Sequence, residues 1–267
     1  MMKANYLFLL VAAIVFHSCS TVPVTGRKQL KLLPSSQMHS MSATEYDNFL
    51  SQNPPMSASN PKANNLKEIG AGIAAATEKY LNENGHKGLV DDFDWTFNLI
   101  DDPTLNAWCM PGGRVVFYTG ILPVCKNNNG IAAVMGHEVA HAVARHGNER
   151  MSQQLALQGA GMSLSVLLQE EPQLTHDLAL QAFGMGSQFG VLAYSRKHES
   201  EADKMGLIFM AMAGYDPREA VKVWERMSEL GGQQPPEFLS THPSHETRID
   251  DLNAFMDEAL KYYQPTN

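Results

Sequence analysis

The chain has 267 residues, 44% of them hydrophobic, with 20 Lys and Arg against 28 Asp and Glu and a net charge of −8. An acidic balance argues against a groove that neutralises nucleic-acid phosphates, and the composition is that of a folded chain, not a disordered one. Three cysteines are too few for a disulfide framework.

In chain order, Lys3 precedes an unbroken apolar run of eleven residues, Tyr6 to Phe16. The run is too short to span a bilayer as a helix and reads as the core of a secretory signal. It ends in Phe16-His17-Ser18-Cys19, which resembles a bacterial lipobox. That resemblance implies removal of residues 1–18 and acylation of Cys19, which would hold the protein on a membrane without a spanning helix. A plain signal with an incidental cysteine is the alternative. Residues 19–34 are polar, carry turn formers and no helical period, and read as a tether, leaving 35–267 as one domain.

A helix is predicted from Ser36 to Leu50, broken by Asn53-Pro54-Pro55. Leu66, Ile69, Ile73, Thr77 and Tyr80 then recur at helical spacing. Phe93 to Ile100 alternates like a half-buried strand, and Arg114 to Thr119 is a second strand after Gly112-Gly113. The second strand is either an edge to which an extended substrate could add or part of an ordinary core hairpin. After the cap-rich Asn127 to Gly130, the pattern turns helical through Val143 and helices dominate to the end. Leu155 to Leu168 and Leu178 to Ala193 form a predicted helical pair, either core or a mobile lid. The fold class is therefore α+β, mostly helical, with a small sheet.

The chemistry sits in His137-Glu138-Val139-Ala140-His141. Two histidines at i and i+4 share one helix face and can reach one ion, with Glu138 beside them at the water position. Tetrahedral zinc needs a third protein ligand. Glu199 and Asp203, again four apart, offer a ligand and an acceptor for the outer N–H of a metal-bound histidine. Glu201 points elsewhere and is expected in solvent. His146 lies five residues after His141, off the three-histidine spacing, and reads as a helix-end residue.

Four ordered motifs carry a family resemblance: Asn106 to Gly113 (NAWCMPGG), Val134 to His141 (VMGHEVAH), Glu199 to Asp203, and Thr241-His242-Pro243 with Arg248. Together they resemble the M48 zinc metallopeptidases, gluzincins whose domain carries an HExxH active-site helix and a small sheet. Within that family the chain is most similar to the small bacterial lipoprotein members and to the catalytic half of longer members that carry tetratricopeptide repeats. The resemblance implies one zinc per chain held by His137, His141 and Glu199, with Glu138 as general base and Asp203 behind the ligands. It adds His242 and Arg248, which spacing alone does not find. The matching histidine in relatives lies near the metal and can occupy its open position as a latch. Read without the family, His242 is a turn residue before Pro243 and Arg248 a helix-surface cation.

The developing oxyanion of peptide hydrolysis needs a donor, for which His242 and Arg248 are candidates and Tyr194 a weaker one. Cys109 and Cys125 could pair in an oxidising compartment. The expected activity is endopeptidase cleavage of misfolded or misassembled secreted and outer-membrane proteins. It would act from the periplasmic face of a bacterial membrane, with no nucleic-acid partner. The competing reading is a latched chaperone or assembly factor in which zinc-regulated binding matters more than hydrolysis.

Overall fold

The computed structural model describes residues 19–167, 196–230, 242 and 247–265. Residues 19–34 are not a tether. Strands β1 (Cys19–Thr21) and β2 (Lys28–Leu30) pair antiparallel, Val22 is fully buried and Gln29 nearly so. The segment continues along the domain, where Leu32 N–H donates to Ser152 and Asn148 donates to the Leu33 carbonyl. Polar composition concealed this, because the segment is held mainly by hydrogen bonds and ion pairs and not by an apolar face.

Helix α1 (Ser35–Gln52) and helix α2 (Pro61–Glu83) match the predicted pair. Asn60 caps α2 by accepting from the N–H groups of Lys62 and Ala63, and Pro61 takes the first helical position, where its missing N–H costs nothing. The predicted stripe of Leu66, Ile69, Ile73, Thr77 and Tyr80 is buried.

The sheet has order β3-β5-β4, where β3 is Thr96–Ile100, β4 Ala107–Met110 and β5 Arg114–Tyr118. β5 runs parallel to β3 and antiparallel to β4. It is thus the central strand, which corrects the edge-strand expectation for Arg114 to Thr119. Three consecutive buried residues, Val115, Val116 and Phe117, fit a strand covered on both faces. Both outer strands are edges: β4, like β3, pairs only with β5 among the described residues.

A 3-10 turn, Thr119–Ile121, and the short helix α3 (Leu122–Cys125) lead into α4 (Asn128–Val143), capped by Asn127 accepting from Gly130 N–H at 3.0 Å. Helix α5 (His146–Leu167) follows, then α6, described over 196–212, α7 (Arg218–Glu229) and α8 (Arg248–Leu260). α5 covers most of the first arm of the predicted helical pair; the second arm lies outside the described residues.

α4 is the core helix: Gly130 and every residue from Ala132 to Val143 are buried. α6 crosses it at two glycines. A methyl group at Gly136 would lie 2.8 Å from the Gly206 carbonyl oxygen, and one at Gly206 would lie 2.9 Å from the His137 nitrogen. Only glycine permits backbones this close, and the crossing falls beside His137.

Candidate metal centre

α4 presents His137 and His141 one turn apart, and α6 brings Glu199 onto the same point. His137 Nε2 and His141 Nε2 are 3.1 Å apart. Glu199 approaches them at 3.3 and 3.4 Å. His242 joins them, its Nδ1 3.3 Å from His137 Nε2 and 3.2 Å from Glu199. One donor atom from each of these four buried residues lies within 4.8 Å of the others.

These spacings fit zinc. A tetrahedral ion with bonds of about 2.0–2.1 Å sets its donors about 3.3 Å apart, and two or three imidazoles with one carboxylate are ordinary zinc chemistry. The protonation pattern agrees, since burial drives the His141 imidazole well below its usual pKa and keeps it neutral, as a ligand must be.

Glu138 is buried beside the donors, and its Oε1 has no hydrogen-bond partner among the described residues. Burial and the charge of Glu199 push its carboxyl up to about 7, although His242 and Arg248 oppose the rise and the Cys109 backbone donates to it. A carboxyl near neutrality, facing a metal site with a free oxygen, can take up and return a proton.

Asp203 stands behind the ligands. Its Oδ1 is 2.9 Å from His137 Nδ1 and accepts from it, so Nδ1 carries the proton and Nε2 is left for the metal. Arg248 is not a surface cation. It is 1% exposed, grips Asp203 with two bonds of 2.8 Å, reaches Glu199 at 3.2 Å and lies 3.3 Å over the Trp224 ring. The pairing with Asp203 and Glu199 places it behind the donor cluster, a position suited to orienting those carboxylates. Tyr194, Thr241 and Pro243 lie outside the described residues.

Glu201 departs from its expectation, and His146, at a helix end as expected, makes a contact its spacing does not show. Glu201 is 6% exposed, not solvated, because the N-terminal hairpin covers that face of α6: Thr25 and Arg27 both bond its carboxylate. His146 is 1% exposed and its Nδ1 lies 2.8 Å from His141 Nδ1. Helical spacing could not reveal this contact. Arg145, at φ 57°, breaks the helix between the two histidines and turns His146 back toward the site.

Cys109 and Cys125 are free. Cys109 lies beside Glu138, whereas the Cys125 carbonyl abuts Gly130, where a methyl group would sit 2.0 Å away. Eight helical residues separate those positions on α4, about 12 Å of rise, beyond the reach of a disulfide.

A cleft of about 270 Å³ opens on Glu138 and His141, with Trp108 and Cys109 of β4 on one wall and His242 on another. The β4 edge of the sheet therefore borders Glu138 and His141.

The family model for peptidase family M48 matches residues 70–256. The chain is 41% identical over 172 residues to the mitochondrial metalloendopeptidase OMA1 of Schizosaccharomyces pombe, covering 64% of this chain and 49% of that protein. It is 30% identical over 268 residues to the mitochondrial metalloendopeptidase OMA1 of Homo sapiens, covering 97% and 50%. It is also 30% identical over 160 residues to the beta-barrel assembly-enhancing protease of Escherichia coli, covering 58% and 33%. The chain spans about half the length, or less, of these relatives. The matched span contains the two histidines on α4, the glutamate and aspartate on α6, and the histidine and arginine that close over them. A chain with that donor set and that match belongs to peptidase family M48.

Proposed function

We propose that this protein is a zinc-dependent endopeptidase that cleaves misfolded or misassembled secreted and outer-membrane proteins in a bacterial envelope, held on the periplasmic face by acylated Cys19. The carrying observation is the buried donor set at tetrahedral spacing with Glu138 beside it. His137, His141 and Glu199 would hold the zinc, which when bound would supply a Lewis acid and lower the pKa of water from 15.7 toward about 7. Glu138 accepts a proton from the attacking water and returns it to the leaving amine. Asp203 and Arg248 keep His137 and Glu199 oriented. His242, with Nε2 3.4 Å from Glu138, is the candidate donor to a developing oxyanion.

The free edge of β4 suits an extended substrate that adds by main-chain hydrogen bonds. Such binding reads backbone more than side chain and favours unfolded chains. The apolar run Tyr6 to Phe16 and the Cys19 that follows it support an envelope address. The printed name of the E. coli relative supports outer-membrane protein substrates, while the mitochondrial relatives share the catalytic domain in another compartment.

The place of His242 also favours a second reading, a latched assembly factor. As a fourth donor it would occupy the position that substrate and water need.

Protein lacking residues 1–18 is incubated with an unfolded outer-membrane protein and with casein, and fragments are followed by mass spectrometry. Wild type is expected to give fragments, and Glu138→Gln to give none while retaining zinc. Equal cleavage by Glu138→Gln would contradict the mechanism. Cleavage by His242→Ala alone would favour the latch.

A further inference from the structure

His137 has a carboxylate behind it; His141 has a second histidine. His141 Nε2 faces the donor cluster, so its proton must sit on Nδ1, which lies 2.8 Å from His146 Nδ1. Two ring nitrogens can share that contact only if His146 Nδ1 is the acceptor. The His146 proton is then on Nε2, which lies 3.2 Å from Glu201 Oε2 and donates to it. Glu201 in turn accepts from Arg27 Nε at 2.9 Å and from the Thr25 hydroxyl at 2.6 Å. The same guanidinium bonds both oxygens of Glu149, at 2.8 and 2.7 Å, and Glu149 accepts from His198. The His198 ring stacks on His146 at 4.2 Å, which fixes the plane of the relay histidine.

We infer that His146, Glu201 and Arg27 form a positioning relay that fixes the tautomer and orientation of the ligand His141 and ties the metal centre to the N-terminal hairpin. This goes beyond the ligand set proposed above and rests on its assignment of His141 to the metal. The two ligand histidines then have matching supports. His137 is backed by Asp203 and Arg248 from α6 and α8, His141 by His146, Glu201 and Arg27 from α5, α6 and the hairpin. Arg27 lies only eight residues after Cys19, so whatever holds Cys19 also bears on this hairpin. Removing partners behind metal ligands typically weakens metal binding 10- to 100-fold.

Zinc affinity, measured by competition with a chromogenic chelator on the chain lacking residues 1–18, separates the possibilities. Asn at 146 offers an acceptor oxygen near the place of Nδ1, while Leu offers none. His146→Leu is expected to bind zinc about 10- to 100-fold more weakly than wild type, and His146→Asn to recover most of the loss. Equal affinity in His146→Leu and wild type, or equal loss in both variants, would overturn the relay. Absence of zinc binding in wild type would instead overturn the metal-site reading on which it rests. Folding of the variants does not limit the test, because nitrogen-15 spectra of histidine-labelled wild type report the tautomer directly. His146 is expected as the Nε2–H form, and an Nδ1–H form would overturn the inference.

Discussion

At 1% exposure Arg248 is met by Asp203, Glu199 and the Trp224 face. Replacing it leaves two buried carboxylates without their cation. Arg248→Leu should therefore lower the stability of the metal-free protein by about 3–5 kcal/mol, read by urea unfolding. A change within experimental error would show that those carboxylates need no compensation. At this scale His137, His141, Glu199 and Asp203 were legible because helical periodicity puts each i, i+4 pair on one face, and Glu138 through its place in the HExxH pattern. Glu201, His146 and Arg248 were not. Periodicity says which residues share a face, not what covers the other face, and each of these three is buried by an element remote in sequence.

Between elements, the α4–α6 crossing sets the ligand geometry. Gly136 and Gly206 allow the backbones to touch next to His137, so the spacing between His137 and Glu199 depends on two residues that bear no ligand atom. Gly206→Ala places a methyl against backbone that cannot yield. We expect a loss of about 1–3 kcal/mol together with weakened zinc binding, measured on the same preparation. Unchanged zinc affinity with reduced stability would mean that the helices separate without moving the ligands. The sheet offers a parallel lesson. Both predicted strands exist, but strand order was not legible, because an apolar run such as Val115 to Phe117 marks burial without marking which neighbours produce it. β4 gives no strand signal of its own, since four residues with a cysteine and a methionine carry little periodicity.

Across the whole molecule, the N-terminal hairpin is fastened by charge. Burial raises the carboxyls of Glu149 and Glu201, but hydrogen bonds from Arg27 and from His198 or His146 outweigh it and hold both at about 2. A depressed carboxylate stabilises the folded state fully above its unfolded pKa, about 4.3, and that contribution is lost as pH falls toward the folded value. Stability should thus decline between about pH 4.5 and 2, with amides of β1 and β2 exchanging before those of α4. Equal protection of the hairpin at pH 5 and pH 3 would contradict this fastening. The segment was misread as a tether because its stabilising groups, Arg27 and Thr25, are those of an exposed loop until Glu149 and Glu201 are placed beneath them.

Binding of one zinc by His137, His141 and Glu199 is tested most directly by the metal content of the purified chain, read by mass spectrometry under native conditions. The expected result is one zinc per wild-type chain, retained in Glu138→Gln and lost in a His141→Ala, Glu199→Gln double variant that remains folded. No zinc in wild type, or one zinc per chain in the double variant, would contradict it.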